Sequence, residues 1–199
     1  MFRGEVYFMR AKRAAFFLIA IAILFVLASC GKSSAATGVS KLSGESADIL
    51  NELVEKTGAV VEASGEFMYM SMTLEVTAEN SGFIIGISEA DFDEYIQSAA
   101  SSMAAIGSQA HQIIIIKAKD AACASQIKKL IAGKVAGIDG YDPMKWICVW
   151  PERVVAVESG SYVLLAASRN DIADAALTAF EEMAGAVGEA DVFFEHSGD

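Results

Sequence analysis

The sequence is poor in proline, cysteine, histidine and basic residues. Only two prolines accompany 16 glycines in 199 residues, which excludes collagen-like and linker-like chains. Three cysteines are too few for a scaffold held by disulfides. The 15 basic residues face 26 acidic ones, and a net charge of −11 argues against nucleic acid as a main ligand, because a phosphate-binding face needs a basic excess. What remains has the size of one domain and is 54% hydrophobic, which indicates a globular chain.

The hydrophobic excess is concentrated near the N-terminus. Four basic residues within the first 13 positions precede an apolar run over 14–28. This run is shorter than the about 20 residues that cross a bilayer, so it is typical of a secretory signal peptide. The sequence Leu27-Ala28-Ser29-Cys30 then resembles the bacterial lipobox, in which a leucine and two small residues precede the cysteine that becomes the new N-terminus. The alternative is an uncleaved signal anchor with an incidental cysteine.

The lipobox resemblance implies a lipid anchor. Residues 1–29 would be the lipoprotein signal peptide, and the Cys30 thiol would carry a diacylglyceryl group with acyl chains such as palmitate. We therefore expect the protein on the extracytoplasmic face of the cell membrane. Cleavage removes four basic residues and one acidic residue, which leaves 11 basic and 25 acidic residues and a net charge of −14. Such a domain is repelled by an anionic bilayer and should stand off the membrane.

The mature chain divides by composition into three parts. Residues 30–42 are rich in glycine, serine and alanine and predict a flexible tether after the lipidated cysteine. Residues 43–187 contain no linker long enough to divide them, so they predict one domain. Residues 188–199 form an acidic tail that we expect to be frayed.

Three helices are predicted from apolar residues at helical spacing. Each begins at a residue that suits a helix start and is followed by a glycine that ends it. The first helix starts at Ser46 and ends before Gly58, the second starts at Asp120 and ends before Gly133, and the third starts at Asn170 or Asp171 and ends before Gly185.

The strands are predicted from β-branched runs. Residues 112–118 (QIIIIKA) indicate a central strand with both faces covered. Residues 153–157 and 162–167 flank Ser159-Gly160, which predicts a tight hairpin. Residues 95–100 are compatible with a strand or with a helix start, and 66–76 are not assigned. The order of elements predicts an α+β fold, with a mainly antiparallel sheet of about three to five strands and helices packed on one face.

An ordered set of motifs resembles a bacterial lipoprotein family. The motifs are Gly86-Ile87 before the acidic run 89–94, the strand end Ile115–Asp120, Tyr141-Asp142-Pro143, and Gly160–Leu165 followed by Ser168. Over residues 45 to 184 the chain is similar to the family catalogued as domain of unknown function 4358. The resemblance implies a small surface lipoprotein, found mostly in Gram-positive bacteria, and it implies no activity. The methionine-rich stretch 68–72 does not match the family pattern.

The sequence shows no catalytic or metal-binding constellation. His111 and His196 have no ligand partners at suitable spacing, and we expect both on the surface. The acidic run 89–94 is predicted to be a solvated face, with acid–base catalysis on wall glycans or weak Ca²⁺ binding as alternatives. Cys123 fits a buried apolar position, and a disulfide with Cys148 is the alternative. No cofactor is expected.

The segment 141–151 is the most unusual part of the sequence. Trp146 and Trp150 lie four residues apart between the only two prolines. Tyr141, Trp146 and Trp150 are therefore a candidate partner surface, with packing over the end of the sheet as the alternative. The leading hypothesis is a non-catalytic lipoprotein that binds or scaffolds an envelope protein or glycan. The alternatives are an envelope enzyme such as a cell-wall hydrolase, and a small solute-binding lipoprotein.

Overall fold

An antiparallel sheet organises the part of the chain that the structure describes, which is residues 39–106, 109–135 and 151–195 of a computed structural model. Within these ranges six strands and five helices follow one another along the chain. In order they are α1 Ser46–Ala63, β1 Ser71–Val76, α2 Ala78–Ile84, α3 Glu89–Tyr95, β2 Ile96–Ala104, β3 Gln112–Ala118, α4 Ala121–Val135, β4 Arg153–Ser159, β5 Tyr162–Ser168, α5 Asn170–Ala184 and β6 Asp191–Glu195.

The strand order is β1-β2-β3-β5-β4-β6, and every neighbouring pair is antiparallel. This confirms the predicted α+β class with an antiparallel sheet and places β3 in the interior of the sheet. The sheet has six strands rather than three to five, because β1 and β6 add an edge on each side.

The prediction that the helices pack on one face is wrong. Helices α1 and α5 cover one face, where Leu50 and Phe180 pack with Ile113 and Ile115 of β3. Helices α2, α3 and α4 cover the other face, onto which β3 presents its alternate isoleucines. Because successive side chains of a strand point to opposite faces, four consecutive isoleucines require an apolar layer on each side.

Helix α1 begins at Ser46, as predicted, but ends later than predicted. It continues through Gly58 to Ala63, since the buried Val61 extends the apolar stripe by another turn. Ser46 is the first helical residue and not the cap, and its hydroxyl donates to the carbonyl of Ser98 at 2.9 Å.

The other two predicted helices agree more closely with the structure. Asp120 caps α4 as predicted, because its Oδ1 accepts from the backbone N–H of Cys123 at 2.7 Å, but the helix runs past Gly133 to Val135. Helix α5 has the predicted bounds and ends at Gly185, which adopts φ +71°.

The hairpin between β4 and β5 is confirmed. Gly160 lies in its turn with φ +58°, a conformation that residues with a side chain rarely adopt. Of the two alternatives for residues 95–100, the strand is correct, since β2 begins at Ile96.

Both ends of the domain are more ordered than predicted. The expected frayed tail is wrong for residues 191–195, which form β6 and pair with β4. The expected tether is wrong for its last residues, since the backbone N–H of Lys41 donates to the carbonyl of Ala184 at 2.9 Å and Leu42 packs against the α1–α5 layer. Among the described helices, none has the length and apolar character needed to cross a bilayer.

Candidate functional site

Most of the predicted site residues lie outside the described ranges. They are Cys30, Tyr141, Trp146 and Trp150, together with His196 and Cys148. The lipid anchor, the aromatic partner surface and the disulfide alternative therefore stay predictions. Cys123 is half-buried against the layer formed by α2, α3 and α4, and burial and the nearby Asp120 carboxylate raise the pKa of its thiol.

The acidic run 89–94 is a solvated face, as predicted. It forms the two-turn helix α3, and Ser88 caps the helix by accepting from the backbone N–H of Asp91 at 3.1 Å. Only Phe92 within the run is buried. Within the described residues, no group of three or more histidine, cysteine and carboxylate side chains is placed to hold a metal ion.

The prediction that His111 lies on the surface is wrong. Its side chain is fully buried just before β3, and Nδ1 lies 3.0 Å from Oγ of Ser168 on β5. The ring stands edge-on to Tyr69, with 5.7 Å between the ring centroids. Burial lowers the pKa of His111 to about 4, and the Arg169 cation contributes in the same direction, so the imidazole is neutral at pH 7.

The His111–Ser168 pair has the components of a nucleophile and a base, yet its geometry is structural. Both side chains are completely shielded from solvent. Within the described part of the chain, the second ring nitrogen, Nε2, has no hydrogen-bond partner, so no carboxylate there orients the imidazole. The pair instead joins the start of β3 to the end of β5.

Next to this pair, Arg169 holds the segment that leads into β1. Its Nε and Nη2 donate to the two carboxylate oxygens of Asp171 at 2.9 and 2.5 Å, which lowers the pKa of that carboxyl. Nη2 also donates to the carbonyl of Phe67 at 3.2 Å. The guanidinium lies 5.1 Å from the ring centroids of both Phe67 and Tyr69. We call these four residues the Arg169 cluster.

The strand that follows the cluster is an open sheet edge, defined here as residues 70–75. Strand β1 pairs with β2 over six residue pairs without a register shift, and no described strand pairs with its other side. The Met70 carbonyl accepts from the N–H of Ala105 on the β2 side at 2.8 Å. Because backbone groups alternate in direction along a strand, those of Ser71, Thr73 and Glu75 point away from β2. The Glu75 carbonyl indeed accepts from the side-chain amide of Asn80 at 3.1 Å.

The side chains of the open edge give it two distinct faces. Met70, Met72 and Leu74 are 78%, 48% and 37% exposed and alternate along one face. On the opposite face, the Thr73 hydroxyl donates to the side-chain oxygen of Asn51 on α1 at 3.3 Å. The open edge is thus apolar on one face and borders the polar surface of α1 on the other.

No protein-family profile, curated protein or solved structure matches this chain. The resemblance to the lipoprotein family therefore stays a prediction, and the candidate site is defined by the structure alone.

Sequence reasoning did not identify the open edge as a site. The one signal was the alternation of Met68, Met70 and Met72, which would share a face of a strand. That signal holds for Met70 and Met72, whereas Met68 precedes the strand and packs against the α1–α5 layer.

Proposed function

We propose that this protein is a membrane-anchored, extracytoplasmic lipoprotein whose domain binds or scaffolds another component of the cell envelope without catalysing a reaction. The predicted signal peptide, the lipobox-like sequence that ends at Cys30 and the motif resemblance to a surface lipoprotein family support the location. The open edge supports the binding role.

The observation that carries the binding role is that, among the described residues, the outward backbone groups of Ser71 and Thr73 have no partner and lie beside exposed apolar side chains. Single exposed apolar residues are ordinary in soluble proteins, but a row of them on a free strand offers both hydrogen bonds and apolar contact to a partner. The Arg169 cluster at one end and Asn80 at the other hold this strand in place without covering it.

Photo-crosslinking in the producing cell tests this role. We would place a photoreactive residue at Leu74 in the full-length protein and, as a matched control, at Val192 on the opposite sheet edge, which is similarly exposed. We expect a discrete adduct from position 74 and none from position 192. Adducts from neither position, or equally from both, would contradict the proposal.

The anchor has a separate test. We expect Cys30→Ala to abolish labelling by a fatty-acid probe and to release the protein from the membrane fraction, because the thiol is the attachment point for the lipid. Ser33→Ala, just beyond the predicted cleavage site, is the control and should keep the label. Label retained on the Cys30→Ala protein would disprove lipidation at this residue.

A further inference from the structure

We infer that the partner of the open edge is an extended polypeptide segment in which apolar and basic residues alternate, and that it adds to the sheet as a further strand beside β1. This inference rests on the proposed binding function and specifies the partner's chemistry.

The backbone of the open edge favours an extended partner. The outward-facing N–H and C=O groups of Ser71 and Thr73 and the N–H of Glu75 are spaced two residues apart, which is the repeat of a β-ladder. The Asn80 amide already occupies the Glu75 carbonyl and marks the end of the free stretch. A helix uses its backbone groups internally and cannot supply partners at this spacing, whereas an extended strand does so along its length.

One face of the open edge determines where the partner is apolar. Met72 and Leu74 project to the same face as the buried Val76, yet both remain exposed. In an added strand, every second side chain would lie beside these two residues. Apolar side chains at those positions would remove them from water.

The other face determines where the partner is basic. Glu75 is the only charged residue of β1 and lies on the same face as Thr73 by alternation. On α1, Asp48 and Glu55 flank Asn51 at helical spacing and are exposed. The cation of this helix, Lys56, pairs with Glu52 at 3.8 Å. The intervening side chains of an added strand would therefore lie in a negative field, which favours lysine or arginine.

A second copy of this chain does not meet the charge requirement. The stretch 66–76 carries two glutamates and no basic residue, and the chain from Cys30 onward has a net charge of −14. Pairing β1 with β1 would bring two acidic α1 surfaces together, which disfavours association.

Binding of synthetic peptides to the full chain in detergent micelles tests the inference. The probe is a fluorescent peptide of about eight residues that alternates valine and lysine. One control replaces every lysine with glutamate, and a second groups the same residues into a valine block and a lysine block. Fluorescence anisotropy should show binding of the alternating valine–lysine peptide, with both controls weaker by at least about tenfold.

Two substitutions at one position test the backbone contact. Thr73→Pro and Thr73→Ala both remove the hydrogen bond to Asn51, but only proline also removes the outward N–H. A proline is tolerated on an edge strand where its nitrogen faces solvent. We expect Thr73→Ala to bind the probe within about threefold of the native chain and Thr73→Pro to bind at least about tenfold more weakly. Circular dichroism verifies that both variants are folded.

A charge reversal keeps the inference testable if Thr73→Pro does not fold. Glu75→Lys leaves the backbone intact and should weaken the valine–lysine peptide while strengthening the valine–glutamate peptide. Equal affinity of Thr73→Pro and Thr73→Ala, or of the two alternating peptides, would overturn the inference. A dimer in sedimentation that Thr73→Pro dissociates would also overturn it, because the occupant would then be a second copy.

The two proposals fail in different ways. Crosslinks at Leu74 in cells without peptide binding would refute strand addition and leave the binding role intact. Absence of crosslinks at Leu74 would refute the binding role itself.

Discussion

The two edges of the sheet differ in how they are protected. Strand β6 is five residues long and has a register shift against β4. The carboxylates at both of its ends are ion-paired. Oδ2 of Asp191 lies 3.1 Å from Nζ of Lys128, and Oε1 of Glu195 lies 3.1 Å from Nη1 of Arg153. Strand β1 is regular over six pairs and carries one charged residue. Irregular register and charge are among the means by which proteins prevent unwanted strand pairing, and β1 has a regular register and a single charge.

The comparison indicates that the same domain protects one edge and leaves the other available. An unprotected edge with apolar side chains promotes aggregation unless it is used. The bonds of Arg169 and Asn80 at its two ends show that β1 is held in place, so its exposure does not result from a loose strand.

The largest expected effect on stability comes from acidification, which acts on His111, whose ring contacts Tyr69 in the segment that leads into β1. Burial lowers the pKa of His111 from 6.5 to about 4, so the unfolded chain binds a proton that the folded protein excludes. This proton uptake therefore leaves the free energy of unfolding unchanged above pH 6.5 and lowers it as the pH falls from 6.5 towards 4. The total loss is about 3 kcal/mol.

Urea unfolding at about pH 7.5 and about pH 4.5 checks this expectation. The His111→Gln variant is the control, because it retains the carboxylates and lacks the imidazole. Its unfolding free energy should depend less on pH than that of the native chain. An equal pH dependence in both proteins would show that His111 does not carry the effect.

Removal of the Arg169 cluster should loosen β1 and leave β6 unchanged. Arg169→Ala removes the paired hydrogen bonds to Asp171 and the contacts with Phe67 and Tyr69. We expect it to lower the free energy of unfolding by about 2 kcal/mol. Amide hydrogen exchange should accelerate over β1. Arg169→Lys keeps the charge but not the planar contacts, so its stability should be intermediate. Equal acceleration in β6 would contradict a local role.

Removal of protection from the other edge should have a smaller effect. Arg153 contacts Glu195 at 3.1 Å and Asp174 at 3.3 Å, and its side chain is 17% exposed. Arg153→Met should lower the free energy of unfolding by about 1 kcal/mol or less and accelerate amide hydrogen exchange in β6 alone. Unchanged exchange in β6 would show that Arg153 does not hold this edge.

Addition of a charge to the open edge should have the smallest effect on stability. Leu74→Lys places an ammonium group on an exposed site, so the thermal midpoint should change by an amount equivalent to about 0.5 kcal/mol or less. Leu74→Met is the matched apolar control. A loss well above about 1 kcal/mol would show that Leu74 belongs to the core.

The elements that could be predicted from the sequence are those with strong local signals. The isoleucine run gave β3, Asp120 located the start of α4, and Gly160 located the hairpin turn. The placement of helices on both faces was already implied by the four consecutive isoleucines, because such a run needs two apolar layers.

The candidate site could not be predicted for a different reason. Apolar and polar residues alternate strictly over 70–76 and indicate a strand, but the exposure of all of Ser71–Glu75, which makes this strand an open edge, depends on tertiary contacts. The burial of His111 depends on Ser168, which is 57 residues away in the sequence. Strand β6 has the composition of an acidic tail, and the partners that hold it, Lys128 and Arg153, lie on elements distant in the sequence.

Residue-resolved amide exchange with and without the alternating valine–lysine peptide tests the open edge most directly. In the free protein, the outward amides of Ser71 and Thr73 should exchange faster than those of Met72 and Leu74, which point towards β2. Saturating peptide should slow exchange at Ser71 and Thr73 and leave β6 unchanged. Unaltered exchange at Thr73 with peptide bound, or slowing in β6 instead, would contradict the conclusion that β1 accepts a partner strand.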